Sequence, residues 1–259
     1  MIPKYSTSAP TSTHSFPFEN SFHLPSALGW TREYAWLPWI LSALYVAFVF
    51  YGPLVMRNRD EVLCPKALAA WNAFLAVFST LGAVRTVPHL LLLLWQEGAV
   101  GALCINAHAN YGGGGPCGLW TLLFIHSKYF EFVDTVFLVI RKRPVSFLHW
   151  YHHFSVLLFC WDSYMYESPS GLIFVAMNYS VHAIMYTYYA LMSVKIKPKW
   201  GMLVTQLQIA QMVVGIVVVV LSAWLKFFAN GNGIPNCDGS LHNIGFCGLI
   251  YASYLVLFL

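Results

Sequence analysis

Charge is what this 259-residue sequence has least of: Asp, Glu, Lys and Arg together make up 9% of it. With 58% hydrophobic residues and a mean hydropathy of +0.61, that scarcity excludes a chain that water alone keeps soluble and implies a bilayer environment. The formal net charge of +4 is too small to suggest nucleic acid or a strongly acidic partner. Also missing is an apolar run after a basic start. Residues 1–33 are populated by Ser, Thr, Pro and His, so no cleavable signal peptide is expected, and the segment reads as a flexible or surface-lying tail.

Apolar stretches are plentiful. They cover residues 34–56, 67–95, 119–140, 147–164, 171–193, 201–228 and 244–259, and at about 20 residues per crossing they predict roughly seven spans. The expectation is one all-α integral membrane domain over residues 34–259, with no separate soluble domain. Because Leu255 to Leu259 stops within an apolar stretch, the last helix is expected to be truncated. Basic residues fall in alternate loops: Arg57, Arg59 and Lys66; Arg141, Lys142 and Arg143; Lys195, Lys197 and Lys199. The positive-inside rule makes these loops cytosolic, the amino terminus lumenal and the carboxyl terminus cytosolic.

Six cysteines are unevenly placed. Cys104, Cys117, Cys237 and Cys247 fall in or beside lumenal loops, where disulfides are permitted. Cys104 with Cys237 is the favoured bridge, unpaired thiols being the alternative. Cys64 reads as a free thiol and Cys160 as a small buried residue.

Ionisable side chains inside spans are expensive and point to function. The third span carries Lys128, Glu131, Asp134 and Thr135, and the fourth carries His149, His152 and His153. The fifth carries Asn178, His182, Tyr186, Tyr188 and Tyr189, and the sixth Thr205, Gln208 and Gln211. Helical spacing puts the three fourth-span histidines within roughly 100° of arc. Counted from the basic loops, all four sets lie about 10–20 Å below the cytosolic face. Segments converging at one depth predict an active site, although a structural polar network has the same appearance.

Two chemistries suit this set. His149, His152 and His153 have metal-ligand spacing, but a di-iron lipid oxidase needs about eight histidines in several boxes. Here there is one box, with His126 and His182 as the remaining bundle candidates. The alternative is acyl transfer, in which a neutral imidazole attacks a thioester and holds the acyl group in a site that excludes water. A seven-span receptor or transporter is a third class, and it leaves the shared depth unaccounted for.

The strings Lys128-x-x-Glu131-x-x-Asp134-Thr135, His149-x-x-His152-His153, Asn178-x-x-x-His182-x-x-Met185-Tyr186-x-Tyr188-Tyr189 and Thr205-x-x-Gln208-x-x-Gln211 resemble, in order and spacing, the motifs of the ELO fatty acid elongases. Residues 148–191 look most like the branch acting on long-chain saturated and monounsaturated acyl-CoA. The resemblance implies an endoplasmic-reticulum 3-oxoacyl-CoA synthase that condenses acyl-CoA with malonyl-CoA, releasing CoA and carbon dioxide without a metal or cofactor. It implies seven helices, six of them forming a barrel-like bundle around an acyl tunnel. Its pathway partners are a 3-ketoacyl-CoA reductase, a 3-hydroxyacyl-CoA dehydratase and an enoyl-CoA reductase, and oligomerisation is open.

Carried onto this sequence, the resemblance makes His152 the acylated nucleophile, His182 its partner, and His149 and His153 its orienting neighbours. Asn178, Tyr186 and Tyr189 become candidates to stabilise the enolate and oxyanion. Lys128, Glu131 and Asp134 become a buried ion network, with direct proton transfer as the alternative. Gln208 and Gln211 complete the polar wall, and Arg141, Lys142 and Arg143 hold the CoA end. Outside the motifs, His126 reads as a bundle histidine and Arg85 as structural, with a place at the CoA end or against Glu131 as alternatives. Lys226 reads as snorkelling to the lumenal surface, with a limit on tunnel length as the sharper alternative.

Overall fold

A computed structural model describes residues 15–111, 114–228 and 237–258. Its elements are α1 (Pro17–Asn20), α2 (Leu24–Glu33), α3 (Leu37–Met56), α4 (Pro65–Cys104), α5 (Ala107–Asn110), α6 (Gly115–Phe130), α7 (Phe132–Ile140), α8 (Phe147–Met165), α9 (Gly171–Ser193), α10 (Gly201–Phe228) and α11 (Leu241–Phe258). Among the described residues the extended pairing is an isolated antiparallel bridge, His23 with Gly114. Helices satisfy their own backbone groups, which is what a hydrocarbon environment demands.

Four helices, α3, α4, α10 and α11, are long and apolar enough to cross a bilayer, so the chain is a multi-pass membrane protein. With 19 and 23 residues, α8 and α9 have the length, but they carry the His, Asn and Tyr residues of the motifs. The continuous third span expected over 119–140 is corrected to two pieces, α6 and α7, joined at Glu131. There the Asp134 N–H donates to the Glu131 carbonyl at 3.1 Å, a tightened i to i+3 turn. Glu131 meanwhile turns its side chain back onto Lys128, one turn earlier.

The second stretch also runs beyond its expected end. α4 continues to Cys104 through a break at Gly98, where φ is +68° and ψ −176°, a backbone state open to glycine because it has no Cβ. The added segment carries Cys104 to its disulfide with Cys237. The Asp238 N–H donates to the Cys104 carbonyl at 3.0 Å, and Lys226 Nζ donates to the Cys237 carbonyl at 2.6 Å. Lys226 therefore ties the end of α10 to this junction, where snorkelling was expected. Cys64, Cys117, Cys160 and Cys247 are free thiols.

The flexible tail expected over residues 1–33 is also corrected where it is described. Residues 17–33 are largely helical, and the Glu19 side chain is completely buried. Arg85 Nε and Trp120 Nε1 donate to Glu19 Oε1 at 2.8 and 2.7 Å, and the Phe16 N–H donates to Oε2 at 2.7 Å. A buried carboxylate requires such partners, and these pin α1 across α4 and α6. Arg85 thus has a structural partner, Glu19, where Glu131 was an alternative. Burial alone would raise the Glu19 pKa, but hydrogen bonds from Arg85, Trp120 and the Phe16 backbone outweigh it and hold the carboxyl below its ordinary value. His126 packs among Trp30, Tyr129 and Trp161, as a bundle histidine should. Residues 1–14 lie outside the described residues.

Packing runs α4 to α9, α9 to α10, α10 to α11, α11 to α8, α8 to α6 and α6 back to α4, while α3 lies against α7 and α8. The approach of α4 and α9 depends on Gly82, since a Cβ there would overlap the Tyr179 ring. Tyr179 then donates its hydroxyl to the Trp120 carbonyl at 2.9 Å, joining α9 to α6. The motif-bearing faces of α7, α8, α9 and α10 are thereby turned toward one interior.

Candidate active site

That interior contains a cavity of about 820 Å³, within the roughly 300–1,000 Å³ of pockets that bury small ligands. Its basic-loop end is bordered by Arg141, Ser146 and Ser193, and its opposite end by Phe124, Phe174 and Tyr251. From Ser193 to Phe174 it follows roughly 28 Å of α9. Twelve of the residues expected at the site lie on its wall: Glu131, Asp134, Arg141, His149, His152, His153, Asn178, His182, Tyr186, Tyr189, Gln208 and Gln211. Lys128 sits behind Glu131, off the wall. Lys142 and Arg143 are also off it, Arg143 Nη2 lying 3.9 Å from Glu61 Oε1.

The histidine helix starts where Ser146 caps it, its Oγ accepting the His149 N–H at 3.2 Å. His149 and His153, one turn apart, have ring centroids 4.5 Å apart, and His152 meets His153 edge-on at 5.4 Å. His149 Nε2 shares a hydrogen bond with Thr135 Oγ1 at 2.9 Å, and Thr135 shares one with the Tyr45 hydroxyl at 2.9 Å. A relay from α3 through α7 therefore fixes the His149 ring. Tyr254 of α11 supports His152, with ring centroids 4.9 Å apart.

The Lys128 ammonium is met on several sides. It donates to Glu131 Oε1 at 2.6 Å and to Asn178 Oδ1 at 3.3 Å, and it lies 4.2 Å from the Phe124 ring centroid. Because lysine only donates, it fixes the Asn178 amide with oxygen toward Lys128 and leaves Nδ2 as a donor. His182 Nδ1 lies 3.9 Å from Glu131 Oε1 and meets Tyr186 edge-on at 5.4 Å. Asp134 accepts from Trp71 Nε1 at 2.6 Å and from the Tyr186 hydroxyl at 2.9 Å. The Tyr186 proton is therefore committed to Asp134 in this state.

Three buried wall atoms, Glu131 Oε2, His153 Nδ1 and Gln211 Oε1, have no hydrogen-bond partner among the described residues. Leaving such groups unpaired is costly, so they suit a site whose remaining partners come from ligand or water. Gln208 instead directs Nε2 to Met185 Sδ at 3.2 Å.

The ELO model, described as the GNS1/SUR4 family, matches residues 30–259. The chain belongs to this family. Among its relatives, very long chain fatty acid elongase 6 of Drosophila melanogaster is 38% identical over 252 residues, covering 96% of this chain and 78% of the relative. The Homo sapiens protein of the same name is 38% identical over 247 residues, covering 94% and 89% of the two chains. Putative fatty acid elongase 3 of Caenorhabditis elegans is 39% identical over 249 residues, covering 93% and 74%.

The family motifs carried the wall histidines and their polar neighbours. Four contributors lay outside them: Tyr45, Trp71, Tyr254 and Ser155, whose Oγ meets the Tyr254 hydroxyl at 2.7 Å. Each sits in an apolar helix stretch or beside a motif, where a lone aromatic or serine has no distinguishing spacing. Thr135 was part of a motif, but its partner Tyr45, 90 positions earlier, was not visible.

Proposed function

We propose that this protein is the condensing enzyme of fatty acid elongation, joining a long-chain acyl-CoA to malonyl-CoA to give 3-oxoacyl-CoA, CoA and carbon dioxide. The observation that carries the reading is the convergence of His149, His152, His153 and His182 on one elongated cavity, in a chain of the ELO family. A polar station between a polar mouth and an apolar far end suits a thioester with a long hydrocarbon tail.

His152 attacks the thioester carbonyl through an imidazole nitrogen, the carbon–sulfur bond breaks, and CoA leaves as its thiol with the proton that the acylated imidazole gives up. The acyl-imidazole survives only where water is excluded, a condition that a membrane-buried pocket supplies. Decarboxylation of malonyl-CoA releases carbon dioxide and leaves an enolate, which attacks the acyl carbon, breaks the carbon–nitrogen bond and returns the electron pair to His152, which takes up one proton from solvent. To His182, whose Nδ1 lies 3.9 Å from Glu131 Oε1, we assign the transfer of that proton. Asn178, whose Nδ2 is left as a donor by the Lys128 contact, and Tyr189 are the candidates to stabilise developing negative charge. Glu131 and Lys128 serve chiefly to hold Asn178 and His182. Arg141 receives the CoA end, with Lys142 and Arg143 as outer charges. No metal or cofactor is required by these steps.

The seven-span reading adds α6 with α7, α8 and α9 to the four apolar helices. The closed order of packing from α4 through α9, α10, α11, α8 and α6 supports a six-member barrel, with α3 outside. The basic loops support a cytosolic mouth, a cytosolic carboxyl terminus and a lumenal amino terminus in the endoplasmic reticulum. Residues 34–259 then form the membrane domain. The product's 3-oxo group calls for a 3-ketoacyl-CoA reductase, a 3-hydroxyacyl-CoA dehydratase and an enoyl-CoA reductase as functional partners.

The test is incubation of purified protein in detergent with labelled acyl-CoA alone, followed by mass spectrometry of the peptide spanning residues 149–153. An acyl adduct on His152, absent from a folded His152→Ala variant, is the expected result. An adduct elsewhere, or full turnover by His152→Ala, would remove His152 as the nucleophile.

A further inference from the structure

The end of the cavity away from the basic loops is built from Phe124, Phe174, Met212 and Tyr251. The Phe174 and Tyr251 rings lie 5.0 Å apart between centroids and close it together. Tyr251 is seated by a feature of the neighbouring helix. Gly215 of α10 faces it, and a Cβ built there would fall inside the envelope of Tyr251 Cδ1 and Cε1. Gly215 is itself buried, so the ring rests directly on the α10 backbone. Any side chain at position 215 would have to displace it. Phe174 and Tyr254 pack around the ring, at 5.0 and 6.3 Å, and the open side is the cavity.

From His152 to Cys160 on α8, and from His182 to Phe174 on α9, the wall descends eight residues, or roughly 12 Å. A long acyl chain held at the histidines therefore reaches this floor. We infer that the Gly215–Tyr251 contact sets the depth of the acyl site and so the longest chain the protein accepts. Lys226, eleven residues beyond Gly215 on the same helix, is not on the cavity wall; its ammonium is held by the Cys237 carbonyl. Tunnel length thus rests on an aromatic ring and the missing side chain beneath it.

The inference rests on the elongase reading, and one experiment separates the two. Full-length protein in detergent is given malonyl-CoA and saturated acyl-CoAs of increasing length, and the rate ratio between successive lengths is measured for wild type, Gly215→Ala and Tyr251→Leu. One methylene in an apolar pocket is worth roughly 10–200-fold in discrimination. Gly215→Ala, by pushing the ring into the cavity, should lower the rate on the longest accepted chain relative to one two carbons shorter by about tenfold or more. Tyr251→Leu should shift the cutoff to longer chains. Should Gly215→Ala fail to fold, the Gly215→Ala/Tyr251→Leu pair removes the clash and must match Tyr251→Leu. Folded variants with wild-type length ratios would overturn the inference while leaving the elongase reading standing. A wild-type protein inactive on every acyl-CoA would overturn both.

Discussion

Tyr254 lies against His152, with ring centroids 4.9 Å apart, and its hydroxyl meets Ser155 Oγ at 2.7 Å and the His152 carbonyl at 3.4 Å. A residue from the last helix thus supports both the ring and the backbone of the proposed nucleophile. Tyr254→Phe keeps the ring and removes the hydrogen bonds, each worth about 1 kcal/mol. Single-turnover acylation should slow by roughly fivefold with little change in KM, whereas equal loss in binding and rate would assign Tyr254 to substrate contact.

The buried pair of Lys128 and Glu131 is a second point of attack. Their side chains are 1% and 3% exposed, so removing one partner strands a charge inside the bundle. Lys128→Met or Glu131→Gln should each destabilise the protein by about 3–5 kcal/mol, and Lys128→Met/Glu131→Met should recover much of that loss. Thermal unfolding in detergent measures it. Singles that melt with wild type would mean water reaches the pair.

Thr135→Val is nearly the same size and cuts the relay between Tyr45 and His149. With its ring no longer held, His149 should orient His152 less well, lowering turnover about tenfold while the melting temperature changes little. Tyr45→Phe, which leaves the bond to His149 intact, should have the smaller effect. The reverse order would place Tyr45 nearer the chemistry than α3 allows.

Acid should loosen the amino-terminal segment. The Glu19 carboxyl is held below its ordinary value of 4.5, so its folded state binds a proton less readily than its unfolded state. Its stabilising contribution is therefore complete above that value and is lost as pH falls through the lower folded pKa. Protease cleavage around residues 15–33 should rise in that acid window. In Glu19→Gln it should already be elevated at neutral pH and lack the acid step.

Membrane class was legible from apolar length, and two helix bounds from the breakers that flank them: 171–193 and 201–228 reappear as α9 and α10. The split at Glu131 was hidden because α6 and α7 are both apolar, and the tightened turn that joins them, from the Asp134 N–H to the Glu131 carbonyl, has no signal in residue type. Likewise His149, His152 and His153 could be placed on one helical face from spacing. That Tyr254 and Tyr45 would flank them depends on which helices pack together, and nothing in an apolar helix announces its neighbour. The amino-terminal segment departs from the tail its polar composition suggests for a related reason: a single glutamate meets its partners 66 and 101 positions away.

That glutamate bears on how the protein can be handled. A fusion tag joined ahead of residue 15 leaves the anchor in place. Trimming the chain to the first apolar helix, the usual economy for a membrane enzyme, would strip Arg85 of its counter-charge and unroof Trp120. A truncated preparation that proved unstable would then be reporting on a missing stopper at one end of the bundle, rather than on the chemistry inside it.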